Sequence, residues 1–143
     1  MIEWIWSAPG RPFTQAAALR KEVFCDEQGY APSLEFDDLD AKAWHLVLLY
    51  DGQPAGCGRV LQENNDTYLL GRIAIRQSLR DQHLGRALVE EIIRKAEELG
   101  AQRLTVSAQC RVQGFYEKLG FRAHGHPYPD GHIPHITMHR VCG

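Results

Sequence analysis

The chain has 143 residues, enough for a single domain with one hydrophobic core. Its 16 basic and 18 acidic residues nearly cancel, which argues against the strongly basic surface typical of nucleic-acid-binding proteins. Because the amino terminus has no basic leader and no apolar run is long enough to span a bilayer, we expect a cytoplasmic domain that binds neither nucleic acid nor membrane.

The amino-terminal segment predicts a strand, a helix and an acidic loop. Apolar and polar residues alternate over residues 2–6, as in a half-buried strand. Thr14 is a suitable N-cap for a helix that runs to about Glu27. Residues 31–41 then carry four acidic side chains. They are typical of a solvated loop, or of a functional loop whose charge suits a cationic amine.

Residues 44–75 predict an antiparallel meander of three strands. The apolar run 44–50 is typical of a central strand, and Asp51-Gly52 is a favoured two-residue turn. Residues 53–61 return as the second strand, and a turn at residues 63–66 leads into a third strand over 67–75.

The carboxyl-terminal half begins with a change of period. Apolar residues recur at helical spacing from Leu84 to Leu99, and Gly100 ends the helix. A strand over 103–107 would complete a parallel crossover. A short helix over 111–119 follows, then two strands around 121–126 and 134–141 with a proline-rich loop between them.

Together these elements predict one α/β (α+β) domain over residues 1–143. Its centre would be a mixed, mostly antiparallel sheet of about six to seven strands flanked by helices.

The junction between the third meander strand and the long helix is the first candidate site. Residues Arg80–Ala87 open the helix there. A helix N-terminus offers unpaired N–H groups and the positive end of the helix dipole. Gly85 would let those amides approach an anion closely, so the segment is a candidate pyrophosphate-binding site. Alone this is a weak signal, because many helices begin in this way.

Four motifs lie in order along the chain and strengthen that interpretation. Residues 19–28 read LRKEVFCDEQ, residues 80–87 read RDQHLGRA, residues 114–121 read GFYEKLGF, and residues 131–138 read GHIPHITM. Together they resemble the GNAT superfamily of acyl-CoA N-acyltransferases, in its small bacterial ElaA-like branch. The second motif aligns with the family's Arg/Gln-x-x-Gly-x-Gly/Ala signature. His83 stands at its first glycine, where a side chain demands a less favourable backbone angle.

The resemblance implies an acetyl-CoA-dependent N-acetyltransferase with no metal. A primary amine of a small-molecule acceptor would attack the thioester directly while both substrates are bound. Backbone groups of Ile73, Ala74 and Ile75 would bond the pantetheine arm, and one of their N–H groups would stabilise the oxyanion. The other implied cofactor-binding residues are Arg80, Asp81, Gln82, His83, Leu84, Gly85, Arg86, Ala87 and Gln109.

Two residues are the implied catalytic pair. Tyr116 aligns with the tyrosine that often acts as the acid in the family, and an unperturbed phenol, with a pKa of about 10, keeps its proton at neutral pH. His135 stands where relatives with the same Pro-His-x-x-Met ending have a base, and an unperturbed imidazole is mostly neutral in the cell. A core tyrosine and a hydrogen-bonded sheet histidine are the alternatives. The expected acceptor-binding residues are Arg20, Glu22, Glu27 and His45.

Two other functions remain as alternatives. A non-catalytic acyl-CoA sensor or interaction module would use the same helix start without turnover. A histidine-rich metal site would need ligands from His124, His126, His132, His135 and His139, although no carboxylate or cysteine lies at ligand spacing. Homodimers are common in the family, so a homodimer is an alternative to a monomer.

Overall fold

A seven-stranded sheet forms the centre of the molecule in the computed structural model, which describes all 143 residues. The strand order is β1-β2-β3-β4-β5-β7-β6, so β1 and β6 are the edges. The strands are β1 (Ile2–Ser7), β2 (Trp44–Tyr50), β3 (Gln53–Gln62), β4 (Thr67–Ile75), β5 (Arg103–Gln109), β6 (Arg122–Asp130) and β7 (Ile133–Val141). All neighbouring pairs are antiparallel except β4 and β5. The predicted fold class is therefore confirmed.

Four α-helices accompany the sheet. They are α1 (Thr14–Arg20), α2 (Pro32–Glu35), α3 (Leu84–Glu98) and α4 (Gln113–Lys118). None of the helices combines the length and apolar character needed to cross a membrane.

The predicted meander and crossover are both present. Asp51 and Gly52 take φ angles of 50° and 80°, as a two-residue hairpin turn of the primed type requires. Helix α3 carries the chain from β4 to the parallel strand β5. Because both features depend on local pattern, the sequence was sufficient to predict them.

The core lies on both faces of the sheet. On one face, α3 contributes Leu88, Val89 and Ile92 to a large cluster that includes Leu104 and Met138. On the other face, α1 packs a smaller cluster of six residues: Ala16, Leu19, Val23, Val47, Cys57 and Ala74. The second face is only partly filled by this cluster, which leaves room for a cavity further along the sheet.

The first helix differs from its prediction. It begins at Thr14 with Phe13 in the N-cap position and no side-chain cap, and after Arg20 it continues as a π-helical segment, Lys21–Glu27. π-Helical turns are rare and frequent at functional sites. This one places Val23 and Phe24 against the cavity described below.

Two predicted loops contain regular structure. The acidic segment forms α2 and a 3₁₀ turn, Asp38–Lys42, whose start is capped by Asp37. The proline-rich segment lies within β6. Proline is tolerated there because β6 is an edge strand, where an absent N–H breaks no internal ladder.

Candidate active site

A cavity of about 650 Å³ opens where β4 and β5 diverge. The two strands pair only from Thr67–Leu70 of β4 to Arg103–Val106 of β5. Beyond that point Ile73, Ala74 and Ile75 line the cavity from one side, and Ser107 to Gln109 line it from the other. The gap therefore leaves one edge of the β4 backbone without a strand partner.

A β-bulge shapes this part of β4. Cys57 pairs with Ala74 and Arg59 pairs with Gly71, so Arg72 and Ile73 together face one residue of β3. Arg72 takes a φ of 53°, in the left-handed region that a non-glycine residue seldom adopts. Bulges of this kind redirect side chains, and here the bulge turns the backbone at the point where the strands separate.

The start of α3 lies beside the cavity. His83 is its N-cap, with φ 57° and ψ 36° and no side-chain cap, so the first N–H groups of the helix lack an intrahelical or capping partner. The backbone angle anticipated for a side chain at the glycine position is thus observed. Of residues 80–87, Arg80 lines the cavity and the others lie beyond its lining.

Arg80 is held in place by two groups. Its guanidinium makes a paired contact with the Glu27 carboxylate, at 2.5 and 2.7 Å, and its Nε donates to the Ile75 carbonyl oxygen at 2.9 Å. The hydrogen bond from Arg80 is the first cause of a lowered pKa at Glu27. Glu22 likewise accepts a hydrogen bond from Arg76 at 3.0 Å. Both glutamates are therefore paired with arginines of the protein itself. Neither lines the cavity.

Tyr116 lines the cavity from α4. Its ring packs edge-on against Phe115 and Phe121, and its hydroxyl has no hydrogen-bond partner in the protein. Burial raises the pKa of the Tyr116 phenol well above its ordinary value. The phenol consequently keeps its proton throughout the neutral range.

His135 lines the same cavity from β7. Its Nδ1 lies 2.8 Å from the Ile133 carbonyl oxygen, which can only accept, so Nδ1 carries the proton in the neutral ring. The lone pair is then on Nε2, which lies 3.8 Å from Asp130 Oδ2. This tautomer makes Nε2 the basic atom. The next residue, Ile136, lies in the core, so alternation along β7 directs His135 to the opposite face.

Arg20 is not placed to bind an acceptor. Its side chain is 1% exposed and donates to Glu35 and Asp40 at 2.8 Å each. Asp40 also accepts from Arg59 at 2.9 Å. Three of the four acidic residues in the predicted loop, Glu35, Asp37 and Asp40, thus pair with guanidinium groups, which weakens the argument that the loop attracts a cationic amine.

His45 is buried away from the cavity. Its Nε2 donates to the Asp40 carbonyl oxygen at 2.9 Å, and its ring stacks on Phe13 with centroids 3.8 Å apart. Burial is the first cause of a lowered pKa at His45. The residue is thus a neutral part of the packing between β2 and α1, where the resemblance suggested an acceptor contact.

Gln109 lines the cavity, and its amide donates to Gln28 at 3.0 Å across the gap. Tyr30 makes a second contact between these segments, because its hydroxyl donates a hydrogen bond to the Asp130 carbonyl oxygen at 2.7 Å. The segment after the π-helix is therefore tied to both β5 and the β6–β7 hairpin.

Several residues that line the cavity were not predicted from the sequence. They are Arg59, Arg72, Ser107, Tyr30 and Asp130, and Tyr128 hydrogen-bonds Ser107 beside them. Alternation along β5 places Ser107 and Gln109 on one face, so Ser107 could have been predicted to lie beside Gln109. The bulge at Arg72 had no such signal.

No group of three or more His, Cys, Asp or Glu side chains is placed to hold a metal ion. The histidines of the carboxyl-terminal segment are divided among separate environments. His124 lies against His139, and His132 lies against Tyr30.

Comparison with known proteins gives a consistent result. The family model for an acetyltransferase (GNAT) domain matches residues 13–142. The crystal structure of an acyl-CoA N-acyltransferase from Pseudomonas aeruginosa superposes with a TM-score of 0.87 at 30% identity, covering 99% of this chain and 100% of the other.

Two further structures share the fold at lower identity. Escherichia coli ElaA gives a TM-score of 0.86 at 23% identity, covering 98% of this chain and 99% of ElaA. A GNAT family acetyltransferase from Elizabethkingia anophelis, with acetyl-CoA bound, gives 0.75 at 19% identity, covering 99% and 98%.

Proposed function

The chain belongs to the GNAT acetyltransferase family, and from that premise we propose that it transfers an acetyl group from acetyl-CoA to a primary amine of a small-molecule acceptor. The observation that carries the proposal is the placement of Tyr116 and His135 in one cavity beside the unpaired edge of β4. One group can donate a proton there and the other can accept one.

The residues around the gap fit a CoA thioester. The free edge of β4 at Ile73–Ile75 can bond an extended amide chain as an added strand would. The uncapped start of α3 suits a pyrophosphate, and Arg80 beside it could bond a phosphate through the N–H groups that its contacts with Glu27 and Ile75 leave free. Gly85 lies in the first turn of α3, where the lack of a side chain would let a phosphate approach the amides closely.

Bound acetyl-CoA would supply an acetyl thioester, which reacts with a neutral amine. We assign the deprotonation of that amine to His135 Nε2, because the Ile133 carbonyl oxygen holds the ring proton on Nδ1. As the new C–N bond forms, the amine proton passes to Nε2 and the imidazole becomes a cation. Asp130, 3.8 Å away, would stabilise that cation.

We assign the second proton transfer to Tyr116. When the C–S bond breaks, the departing sulfur takes the phenolic proton, so the products are an amide and a thiol. The phenol is restored at the expense of the imidazolium proton, directly or through water. A backbone N–H in Ile73–Ile75 would stabilise the carbonyl oxygen as it gains negative charge.

An acetyl-CoA consumption assay across a panel of primary amines tests the proposal. Thiol release that depends on the amine, with a matching acetylated product by mass spectrometry, is the expected result. If acetyl-CoA binds in calorimetry but no amine releases thiol, the chain is a non-catalytic acyl-CoA sensor. Cytoplasmic location and homodimer formation stay predictions.

A further inference from the structure

We propose that the acceptor carries an acidic group beside its amine, and that the guanidinium groups of Arg59 and Arg72 bind this group. The inference rests on the proposed acetyl transfer. It specifies the acceptor as an amino acid with an apolar side chain, or a similar small anion that carries a primary amine. A polyamine is the class that it excludes.

The strand registers place Arg59 on the same sheet face as the base, and Arg72 reaches the same side through the Asp37 carboxylate that both guanidiniums contact. Arg59 pairs with Gly71, and Gln109 pairs with His135. Leu61 and Leu69 pair on that face, and Leu69 pairs in turn with Thr105 of β5. Residues that pair across strands lie on the same side of the sheet. Arg59 and Arg72 line the end of the cavity near β3 and β4, and His135 lines the end near β7.

The two guanidiniums retain unused donors. Arg59 donates through Nη1 alone, to Asp37 and Asp40 at 2.9 Å each. Arg72 donates through Nε to the Glu35 carbonyl oxygen at 3.1 Å and through Nη2 to Asp37 at 3.2 Å. The remaining nitrogens of both residues have no protein partner, and none of them is sealed from solvent. They are therefore available to a ligand in the cavity.

Both arginines already pair with carboxylates of Glu35, Asp37 or Asp40, so an anion would be bound by their remaining donors. The arginine side chains are only 10% and 23% exposed, so an ion pair formed here is screened less than one on the surface. Burial and the neighbouring Arg59 lower the pKa of Arg72. An incoming carboxylate would offset both effects and could bond two guanidiniums in a charge-assisted geometry.

An open space adjoins the arginines. A Cβ added at Gly71 would meet no atom within 4 Å, so the residue paired with Arg59 leaves the cavity clear beside it. A planar carboxylate fits such a space, whereas a bulky phosphate ester is better matched to the helix start of α3.

The rest of the cavity is apolar on the acceptor side. Leu34 and Leu39, at the mouth, are 64% and 42% exposed. With Leu61 and Leu69 on the sheet they form a surface suited to a hydrocarbon side chain. The acceptor would thus lie across the sheet, its acid on the arginines, its apolar part under Leu34, and its amine towards His135.

Matched acceptors test this with the unmodified protein. L-leucine and L-leucinamide, L-phenylalanine and L-phenylalaninamide, and spermidine are compared for thiol release at saturating acetyl-CoA. Each acid should exceed its carboxamide in kcat/KM by about tenfold or more, mostly through KM. The amine of a carboxamide is less basic and more often neutral, which biases the assay against this expectation.

Equal or reversed preference within the pairs, or a preference for spermidine, would overturn the acidic acceptor while leaving acetyl transfer intact. If no amine releases thiol, the proposed function itself fails.

The variant Arg72→Gln separates binding from folding. It should erase the preference between acid and carboxamide, measured as the ratio of their kcat/KM values, because loss of folded protein lowers both rates equally and leaves that ratio unchanged. Arg72→Lys should restore part of the preference. The control is Arg94→Gln, which removes an exposed guanidinium on α3 and should leave the preference unchanged. A preference that survives Arg72→Gln contradicts the assignment.

Discussion

At the scale of single residues, the proposed proton transfers involve two side chains whose surroundings differ. Tyr116 is enclosed by aromatic rings and keeps its proton because burial disfavours the phenolate. His135 is oriented by a backbone carbonyl, which fixes the tautomer and leaves Nε2 basic. The proposed acid and the proposed base thus lie in different environments within one cavity.

Tyr116→Phe should lower kcat by roughly a hundredfold with little change in acetyl-CoA affinity, since only the transferable proton is removed. The free energy of unfolding should stay close to wild type because the hydroxyl bonds no protein group. Steady-state kinetics and urea unfolding give the two values.

Tyr68→Phe is the matched control for that variant. The Tyr68 hydroxyl donates to the Leu99 carbonyl oxygen at 3.1 Å, outside the cavity. The control should lose about 1 kcal/mol of stability and keep its kcat. Equal kcat in wild type and Tyr116→Phe would remove Tyr116 from the mechanism.

His135→Gln should lower kcat/KM by roughly a hundredfold, because an amide cannot accept a proton from the amine. Steady-state kinetics with the best acceptor measure this value. An unchanged kcat/KM would point to a water chain as the base.

At the scale of elements, the site is assembled by segments that meet across the sheet. Three elements meet at the gap between β4 and β5: the β4 bulge, the uncapped start of α3 and the β6–β7 hairpin. Their relative positions depend on a small number of crossing contacts.

The turn between β6 and β7 tests one such contact. Gly131 has a φ of 62°, and a Cβ there would lie 2.6 Å from the Tyr30 ring. Gly131→Ala should displace Tyr30, loosen its bond to Asp130 and raise the acceptor KM by roughly tenfold. Gly125→Ala shares the positive φ, at 80°, but meets open space. Similar acceptor KM values in the two variants would show that the Tyr30 contact does not shape the site.

The start of α3 gives a second test. The left-handed backbone at His83 costs about 1 kcal/mol of folding free energy. Glycine would remove this strain, but its greater freedom in the unfolded chain would cost a similar amount. His83→Gly should therefore unfold within about 1 kcal/mol of wild type and bind acetyl-CoA at least as tightly. His83→Val should be clearly less stable, because a β-branched residue resists this angle. Calorimetry that shows weaker binding by the glycine variant would give the imidazole a direct role.

At the scale of the whole molecule, a buried ion cluster joins the acidic segment to α1, β3 and β4. It is defined by Arg20, Arg59, Arg72, Glu35, Asp37 and Asp40. Burial opposes ionisation of Asp40, but hydrogen bonds and attraction from Arg20 and Arg59 outweigh it and lower the pKa of Asp40. The cluster therefore holds the cavity wall in one arrangement.

Asp40→Asn should cost about 3 kcal/mol of unfolding free energy, since two buried guanidiniums lose a shared partner. A carboxyl whose folded pKa is lowered stabilises the protein above its unfolded pKa, near 4, and loses that contribution as the pH falls. The variant should accordingly show a flatter acid limb in urea unfolding between about pH 5 and pH 2. Asp38→Asn, at an exposed position, is the control and should be nearly neutral. Equal stability of the two variants would contradict the role of the cluster.

The sequence predicted those parts of the molecule that local pattern controls. The meander, α3 and the parallel crossover follow from apolar periodicity and from turn residues such as Asp51 and Gly52. The inward pairing of Glu35 and Asp40 could not be predicted, because it depends on arginines distant in the chain. The bulge at Arg72 has the same non-local origin, since β3 and the divergence of β5 impose it.

The most direct test of the central claim is acetylation by a protein that lacks both proposed proton-transfer groups. Wild type and the double variant Tyr116→Phe/His135→Gln are compared for amine-dependent thiol release with the best acceptor, after calorimetry has shown that both bind acetyl-CoA. The double variant should bind acetyl-CoA normally and release thiol at least roughly a hundredfold more slowly than wild type. Turnover close to wild type would contradict that claim.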